Sequence, residues 1–580
     1  MAMPPSPRPS RARTHVRRAV AIGVVVVVAG GAFLVISGGA PSEQDTVVKF
    51  ARAWNAGDYA TMRAQTTGDD QDRYSARAFA GRYTDAAGTA TATKVVAGQP
   101  RDDGDGHWEL PVTVQTRSFG PVTGRLRFDV VKDGDDERID WKPSLVFPGL
   151  TAGERLRRTT TMPARADLLA RDGTPLAQGA ERSSPLGATA QAIVGALGPI
   201  PETYKDKAQE LGYPSDAQVG ISGLERTFDE RLAGTPGGQL RAGVRLLAER
   251  DPRKAAPVRT TIAPKVQEAA VTALAGRLGG VVALRPKTGE ILAAAGIGFS
   301  GLQPPGSTFK IITATGVLAN GVAKPSDAFP VQTAATLEGV ELQNANGESC
   351  GGTLAESFAL SCNSVFAPLG AKLGAQKLVA TAEAFGFNQP TGITGAATAS
   401  IPPANEIGDD LAVGSSAIGQ GRVQATALQM AIVAATIGLR GRRPDVTLDP
   451  DRWKGAAPTH EATSSKVARQ VEKLMLGVVR YGTGKVAAIP DVKVAGKTGT
   501  AELKSTQACK PEDAETDPER CGPDQQSDTT DTDAWFSSYA PAGNGTPRIA
   551  VGVLLVGAGA GGDTAAPAAR QVLLTGLKND

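Results

Sequence analysis

The sequence predicts a multidomain protein of mixed α+β and α/β units, its folded body following a single N-terminal membrane-spanning helix. Three observations carry this. The chain has 580 residues, several times the length of a common domain. An uncharged apolar run, AVAIGVVVVVAGGAFLVI at 19–36, follows five arginines, and no charge returns before Glu43. Beyond it, helical periodicity gives way to strand alternation, and further mixed patterns fill the C-terminal half. An apolar fraction of 41% with 21% charged residues fits a folded body, while 69 glycines and 39 prolines call for many turns.

The first element is the anchor. The apolar run and its small flank reach about 30 Å as helix. Arg8, Arg11, Arg13, Arg17 and Arg18 make 1–18 a cytoplasmic basic tail, 19–40 the transmembrane anchor, and everything beyond extracytoplasmic. A secretory signal cleaved within SGGAP at 37–41 is the alternative, and either reading exports the body. Without the five arginines, 57 bases face 59 acids. That balance offers phosphates no basic footprint, so nucleic acid is not an expected partner. Export permits disulfides. Of the three pairings open to Cys350, Cys362, Cys509 and Cys521, the two local ones, 350 with 362 and 509 with 521, are favoured.

After the anchor, Val47, Phe50, Ala51 and Trp54 fall at i, i+3, i+4 and i+7, one stripe of an amphipathic helix. Trp108, Leu110, Val112 and Val114 then alternate with polar neighbours, as do Leu126, Phe128 and Val130, so strands follow helices. Residues 41–148 therefore read as a small α+β domain, and 149–257 as a less regular, turn-rich unit. From 258 to 580 runs a larger α/β-type unit. In it VRTTIAPKVQEAAVTAL passes from strand to helix, and GGVVALRPKTGEILAAA at 279–295 reads as a hairpin around Lys287, Thr288 and Gly289. Residues 510–533 carry nine acids against two bases and no large apolar side chain, an exposed loop by composition.

Histidine scarcity narrows the chemistry. His15, His107 and His460 are the only three, one in each of three separate regions, which removes a serine–histidine–acid triad and a His-rich zinc site. No metal or cofactor is expected. Lysine is the substitute base, because a desolvated amine near other cations loses its proton more readily. The stretch PPGSTFKIITA at 304–314 places Ser307 at a helix start with Lys310 one turn along the same face, and Phe309, Ile311 and Ile312 as packing residues. A helix N-terminus there would favour negative charge at the serine. Two further triplets follow, Ser361-Cys362-Asn363 in LSCNSVF and Lys497-Thr498-Gly499 in VAGKTGTAE, the latter at the end of an alternating strand.

In this order the three motifs resemble those of the penicillin-recognising serine acyltransferases, a Ser-x-x-Lys, a Ser-Asx-Asn and a Lys-Thr-Gly. Cys362 at the middle of the second is a departure. GSSAIGQGRVQATALQMA at 414–431 and YGTGKVAAIPDVKVAGKTGTAE at 481–502 look like the transpeptidase domain of penicillin-binding proteins. The resemblance implies a mainly antiparallel sheet flanked by helices over 258–580. It also implies an NTF2-like domain over 41–148, related to low-affinity penicillin-binding proteins, and a dimerisation or pedestal domain over 149–257. Nothing ahead of 258 resembles a glycosyltransferase, so a monofunctional class B enzyme is implied.

The same resemblance implies roles. Ser307 would be the nucleophile, Lys310 its base, Ser361 a proton relay and Asn363 the residue orienting Lys310 and the substrate amide. Lys497 would supply positive charge, and Thr498 and Thr500, flanking Gly499, would bind the terminal carboxylate. Backbone N–H groups of Ser307 and Thr500 would form the oxyanion hole. The implied reaction crosslinks peptidoglycan stem peptides, from a D-Ala-D-Ala donor to an amine acceptor, and β-lactams would acylate the same serine. A membrane glycosyltransferase of the division or elongation machinery is an implied partner. The rival readings are a carboxypeptidase or β-lactamase, in which water replaces the amine, and a β-lactam sensor or scaffold.

Overall fold

A computed structural model describes residues 42–104, 106–502 and 532–579. The expected anchor and the Cys509–Cys521 pair lie outside them, as does the acidic stretch up to 531. Among the described residues no helix is long and apolar enough to cross a membrane.

The first unit is built helices first. Ser42 closes a capping box with Asp45 at the start of the helix Glu43–Ala56, and Gly57 ends that helix with φ 70°. The expected stripe, Val47, Phe50, Ala51 and Trp54, is buried. Two short helices, Tyr59–Arg63 and Gly68–Arg73, and a second long one, Ala76–Thr89, precede the sheet. Its centre is the antiparallel pair His107–Thr116 and Gly120–Asp133, with Leu110 opposite Leu126. The alternating residues of both strands face one core, where the Phe50 and Phe128 rings meet edge-on at 5.4 Å. A buried aromatic side chain of this kind contributes about 1.5–3 kcal/mol.

The second unit is irregular for a physical reason. Between 149 and 257 no helix or strand exceeds seven residues. Its apolar residues are shared out, Leu168, Ile193, Leu224 and Phe228 joining the core of the third unit, and a buried ion cluster lies among its short elements. Arg165 Nε and Arg182 Nε each lie 2.7 Å from an oxygen of Glu225, and Arg165 Nη2 lies 2.9 Å from Asp229 Oδ1. Glu225 is only 1% exposed. A three-stranded sheet, Leu156–Thr161, Gly237–Ala242 and Arg245–Arg250, leans on the first unit, and its Leu240 enters the first unit's core.

The third unit holds a five-stranded sheet of β1 (Gly279–Arg285), β2 (Glu290–Gly296), β3 (Ala495–Glu502), β4 (Thr532–Ala540) and β5 (Ile549–Leu555). The order is β2-β1-β5-β4-β3 and every ladder is antiparallel. The hairpin expected at 279–295 is β1–β2. One face carries the helices Pro264–Leu274 and Ala565–Asn579, whose alanines and leucines form a core with the outer residues of the sheet. The other face packs on Ala427–Gly438, a helix buried along its whole length. Edge strand β3 is left beside the helix Ser465–Arg480 and the 3₁₀ turn Gly306–Phe309, and the helices Lys310–Ala319 and Leu354–Ala359 pack on Ser465–Arg480 in turn. That seam is where the sequence motifs meet.

Candidate active site

Ser307 is not the first residue of an α-helix, contrary to expectation. Gly306–Phe309 form a 3₁₀ turn and the α-helix begins at Lys310. Gly306 sits at φ 50°, and Thr308 closes the turn by donating from N and Oγ1 to Pro305 O at 3.3 and 2.7 Å. The α-helix proper thus starts at Lys310, with the 3₁₀ turn that bears Ser307 running directly into it. The shared face survives, because residues three apart eclipse in a 3₁₀ turn. Phe309, Ile311 and Ile312 are fully buried as expected, with the Phe309 ring edge-on to Phe387 at 5.3 Å.

The second motif is a strained turn between two helices. Ser361 adopts φ 67°, uncommon for a side chain with a Cβ, just before the helix Asn363–Leu373. Cys362 is disulfide-bonded to Cys350, the local pair favoured from sequence. Asn363 Nδ2 donates to Gln343 O at 2.8 Å, and Ser364 N donates to Asn344 Oδ1 at 2.9 Å. The turn is therefore fixed covalently and by hydrogen bonds. It aims its acceptors at Lys310, whose Nζ donates to Ser361 O at 2.6 Å and to Asn363 Oδ1 at 2.7 Å. Ser361 Oγ stands 3.5 Å from the same nitrogen.

The third motif lies inside β3 rather than at a strand's end. The ladder with β4 begins only at Ala495 and runs to Glu502, so Lys497, Thr498 and Gly499 lie around its middle. Lys497 Nζ donates to Ser361 Oγ at 2.8 Å and to Thr498 O at 2.9 Å. A Cβ on Gly499 would lie 2.8 Å from Pro305 O, and one on Gly306 would lie 2.7 Å from Thr500 O. Bare backbone at both positions lets β3 close against the turn that bears Ser307. Thr500 Oγ1 accepts from Gly561 N at 3.4 Å.

Both lysines are fully buried. Desolvation, and then the charge of Lys497, holds the Lys310 amine well below its ordinary pKa. Burial alone brings Lys497 down to about 7. Lys310 lies over Phe366 and Lys497 over Phe358, two rings that meet edge-on. All eight residues expected at the site thus converge on one seam. Two participants were not singled out from sequence. Gly419 O accepts from Gly306 N at 2.9 Å, and Thr483 Oγ1 lies 2.5 Å from Thr498 Oγ1. Both lie in the stretches at 414–431 and 481–502 that carry the family resemblance, in the glycine-bounded runs GQG and GTG, but neither stands in one of the three motifs.

Comparison with known proteins agrees with this geometry. The family model described as the penicillin binding protein transpeptidase domain matches residues 279–574. An NTF2-like N-terminal transpeptidase domain matches 42–154, and a penicillin-binding protein dimerisation domain matches 170–243. The peptidoglycan D,D-transpeptidase PbpA of Mycolicibacterium smegmatis is 33% identical over 444 residues, 66% of this chain and 84% of that protein. The D,D-transpeptidase MrdA of Acinetobacter baumannii is 27% identical, covering 67% of this chain and 65% of that protein. Among solved structures, the ceftriaxone acyl-enzyme of penicillin-binding protein A from M. tuberculosis aligns with TM-score 0.55 and 27% identity, over 71% of this chain and 98% of that one.

Proposed function

The chain belongs to the penicillin-binding protein transpeptidase family, and from that premise we propose how its own residues carry the reaction. It is a monofunctional class B peptidoglycan D,D-transpeptidase that works through a serine acyl-enzyme and is acylated by β-lactams.

One observation carries the mechanism. Lys310 Nζ points two N–H bonds at acceptors, Ser361 O and Asn363 Oδ1. A neutral amine has two N–H bonds and one lone pair, so both donors are spent and the lone pair is left for the Ser307 hydroxyl on the preceding turn. Burial keeps the amine in the neutral form. Ser307 Oγ bonds the carbonyl carbon of the donor peptide as its proton passes to Lys310. The oxyanion meets the backbone N–H groups of Ser307 and Thr500, brought close by Gly306. Losing one such donor typically costs about 3–4 kcal/mol.

The C–N bond then breaks. Ser361 gives its proton to the departing D-alanine nitrogen and recovers one from the Lys310 ammonium, while Lys497 holds the Ser361 oxygen throughout. Thr498 and Thr500 bind the terminal carboxylate. An acceptor amine attacks the ester by the reverse path and regenerates Ser307. In a β-lactam the broken amide stays tethered to the acyl group and blocks that second attack.

A fluorescent penicillin followed by peptide mapping tests the assignment. The label is expected on Ser307, and its persistence in Ser307→Ala overturns the mechanism. Supplying a donor thioester with and without an acceptor amine separates transfer from hydrolysis.

The domain division at 148 and 257 and the anchor at 19–40, with the body extracytoplasmic, belong to the same reading. The apolar run and its arginine flank support the anchor. A membrane glycosyltransferase fits as partner to a transpeptidase without one of its own. Release of the full chain from membranes by salt alone would sink the anchor, and no co-purification from detergent would sink the partner.

A further inference from the structure

Thr483 lies on the turn after the helix Ser465–Arg480, 15 residues before Thr498 in sequence, and ties two motifs together. Its backbone N–H donates to Ala359 O at 3.1 Å, on the turn that leads into Ser361. A Cβ on neighbouring Gly482 would lie 2.2 Å from that same oxygen, so this contact is made by bare backbone. Its side-chain oxygen lies 2.5 Å from Thr498 Oγ1 and 3.4 Å from Ala359 O. Thr483 is exposed, whereas Thr498 is only 5% exposed.

The donors can be counted. Each threonine hydroxyl has one proton to give and two lone pairs to receive with. Ala359 O already takes the Thr483 N–H, and its distance to the Thr483 hydroxyl is near the limit for a bond. When Thr498 gives its own proton to a substrate carboxylate, the 2.5 Å contact can be made only by the Thr483 proton, with Thr498 Oγ1 accepting it. Lys497 Nζ stands 3.4 Å from Thr498 Oγ1, likewise at the limit for a bond. With the Thr483 proton on one of its lone pairs, Thr498 turns its own proton away from Thr483. It is then presented to an anion in the cleft.

Resting on the transpeptidase reading above, we propose that Thr483 is a positioning residue for carboxylate recognition. Its hydroxyl fixes the direction of the Thr498 donor, and through it the hold on the terminal carboxylate of the substrate. Without that hydroxyl, Thr498 has an unfilled lone pair and a proton free to turn elsewhere.

The test uses the full chain and a pair of acyl-D-alanyl thioesters, one with a thioglycolate leaving group, bearing a carboxylate, and one with the neutral thioglycolamide. Released thiol gives kcat/KM for each. Thr483→Val keeps the shape and loses the hydroxyl, and Thr483→Ser keeps the hydroxyl. A hydrogen bond to a charged group supports an expected loss of about tenfold for Thr483→Val on the carboxylate substrate, with less than about twofold on the amide. Thr483→Ser is expected to restore the wild-type ratio. An equal loss on both substrates, no loss on either, or a Thr483→Ser that behaves as Thr483→Val overturns the proposal. If the unsubstituted chain releases no thiol while Ser307→Ala still takes up penicillin, the acyl-enzyme reading itself falls, and the proposal with it.

Discussion

Lys497 Nζ donates to Ser361 Oγ at 2.8 Å, joining an edge strand to a helix turn 136 residues away in sequence. An ammonium donates that bond more strongly than a neutral amine, and burial has brought the pKa of Lys497 down to about 7. Acylation by penicillin is therefore expected to fall as pH rises through about 7. In the proposed mechanism the acid limb belongs to Lys310, which must be neutral to act and whose pKa burial and the charge of Lys497 hold well below its ordinary value. In Lys497→Met the rate is expected to drop about a hundredfold and the alkaline limb to vanish. A profile in that variant with the limb intact would assign it to another group.

The same lysine bears on stability. Between its folded pKa of about 7 and its unfolded value near 10.5, the unfolded chain binds more protons. Stability therefore rises with pH across that window and is lower at its acid end. Lys497→Met removes the burden of a buried cation, and such replacements are neutral to stabilising by about 1–4 kcal/mol. Thermal unfolding at pH 7 is expected to show a raised Tm in the inactive variant, and a lowered Tm contradicts this.

Asn363 tests the hold on Lys310. Asn363→Asp puts a carboxylate where Oδ1 now accepts from Lys310 Nζ at 2.7 Å. An anion at that distance favours the ammonium, so the Lys310 pKa rises. The acid limb of the acylation profile should move to higher pH by at least about one unit, with the alkaline limb unmoved. A uniform loss of rate without displacement of the limb would mean that Asn363 acts only by shape.

The disulfide makes a separate prediction. Cys350 and Cys362 are 12 residues apart, and closing a loop of that size stabilises by about 3 kcal/mol in the chain-entropy account. Cys350→Ser with Cys362→Ser is expected to lower the denaturation midpoint and to slow penicillin acylation, because Ser361 loses the tie beside its left-handed backbone. Unchanged acylation at a temperature where the variant is folded would separate the bridge from the site.

Much of the site was legible because its residues carry chemistry that few types can supply. Ser307, Lys310, Ser361, Asn363 and Lys497 meet at the seam as the motif order implied. The helix and strand stripes of the first unit were equally plain, since Phe50, Trp54, Leu110 and Phe128 follow the period of the surface they bury. Sequence misplaced the helix start at Ser307, because the choice of 3₁₀ over α turn depends on Gly306 meeting Gly419, more than a hundred residues on. Thr483 stayed hidden for a similar reason. A hydroxyl gains its role from the atom opposite, and Thr498 is opposite only in the folded chain. The unit over 149–257 resisted reading because ionic contacts around Glu225 have no period.

The glycines at the seam also limit where the protein can change under antibiotic selection. A Cβ on Gly419 would lie 2.0 Å from Gly306 O, and one on Gly561 would lie 2.2 Å from Gly499 O. Backbone atoms cannot swing aside as side chains do, so narrowing the cleft at these points would also displace the turn that bears Ser307. Escape from a β-lactam is thereby steered toward side chains with solvent to move into. Leu360 and Tyr481 are about half exposed, the first adjoining Ser361 and the second two residues before Thr483. Variation there can reshape what approaches the serine without dismantling what holds it.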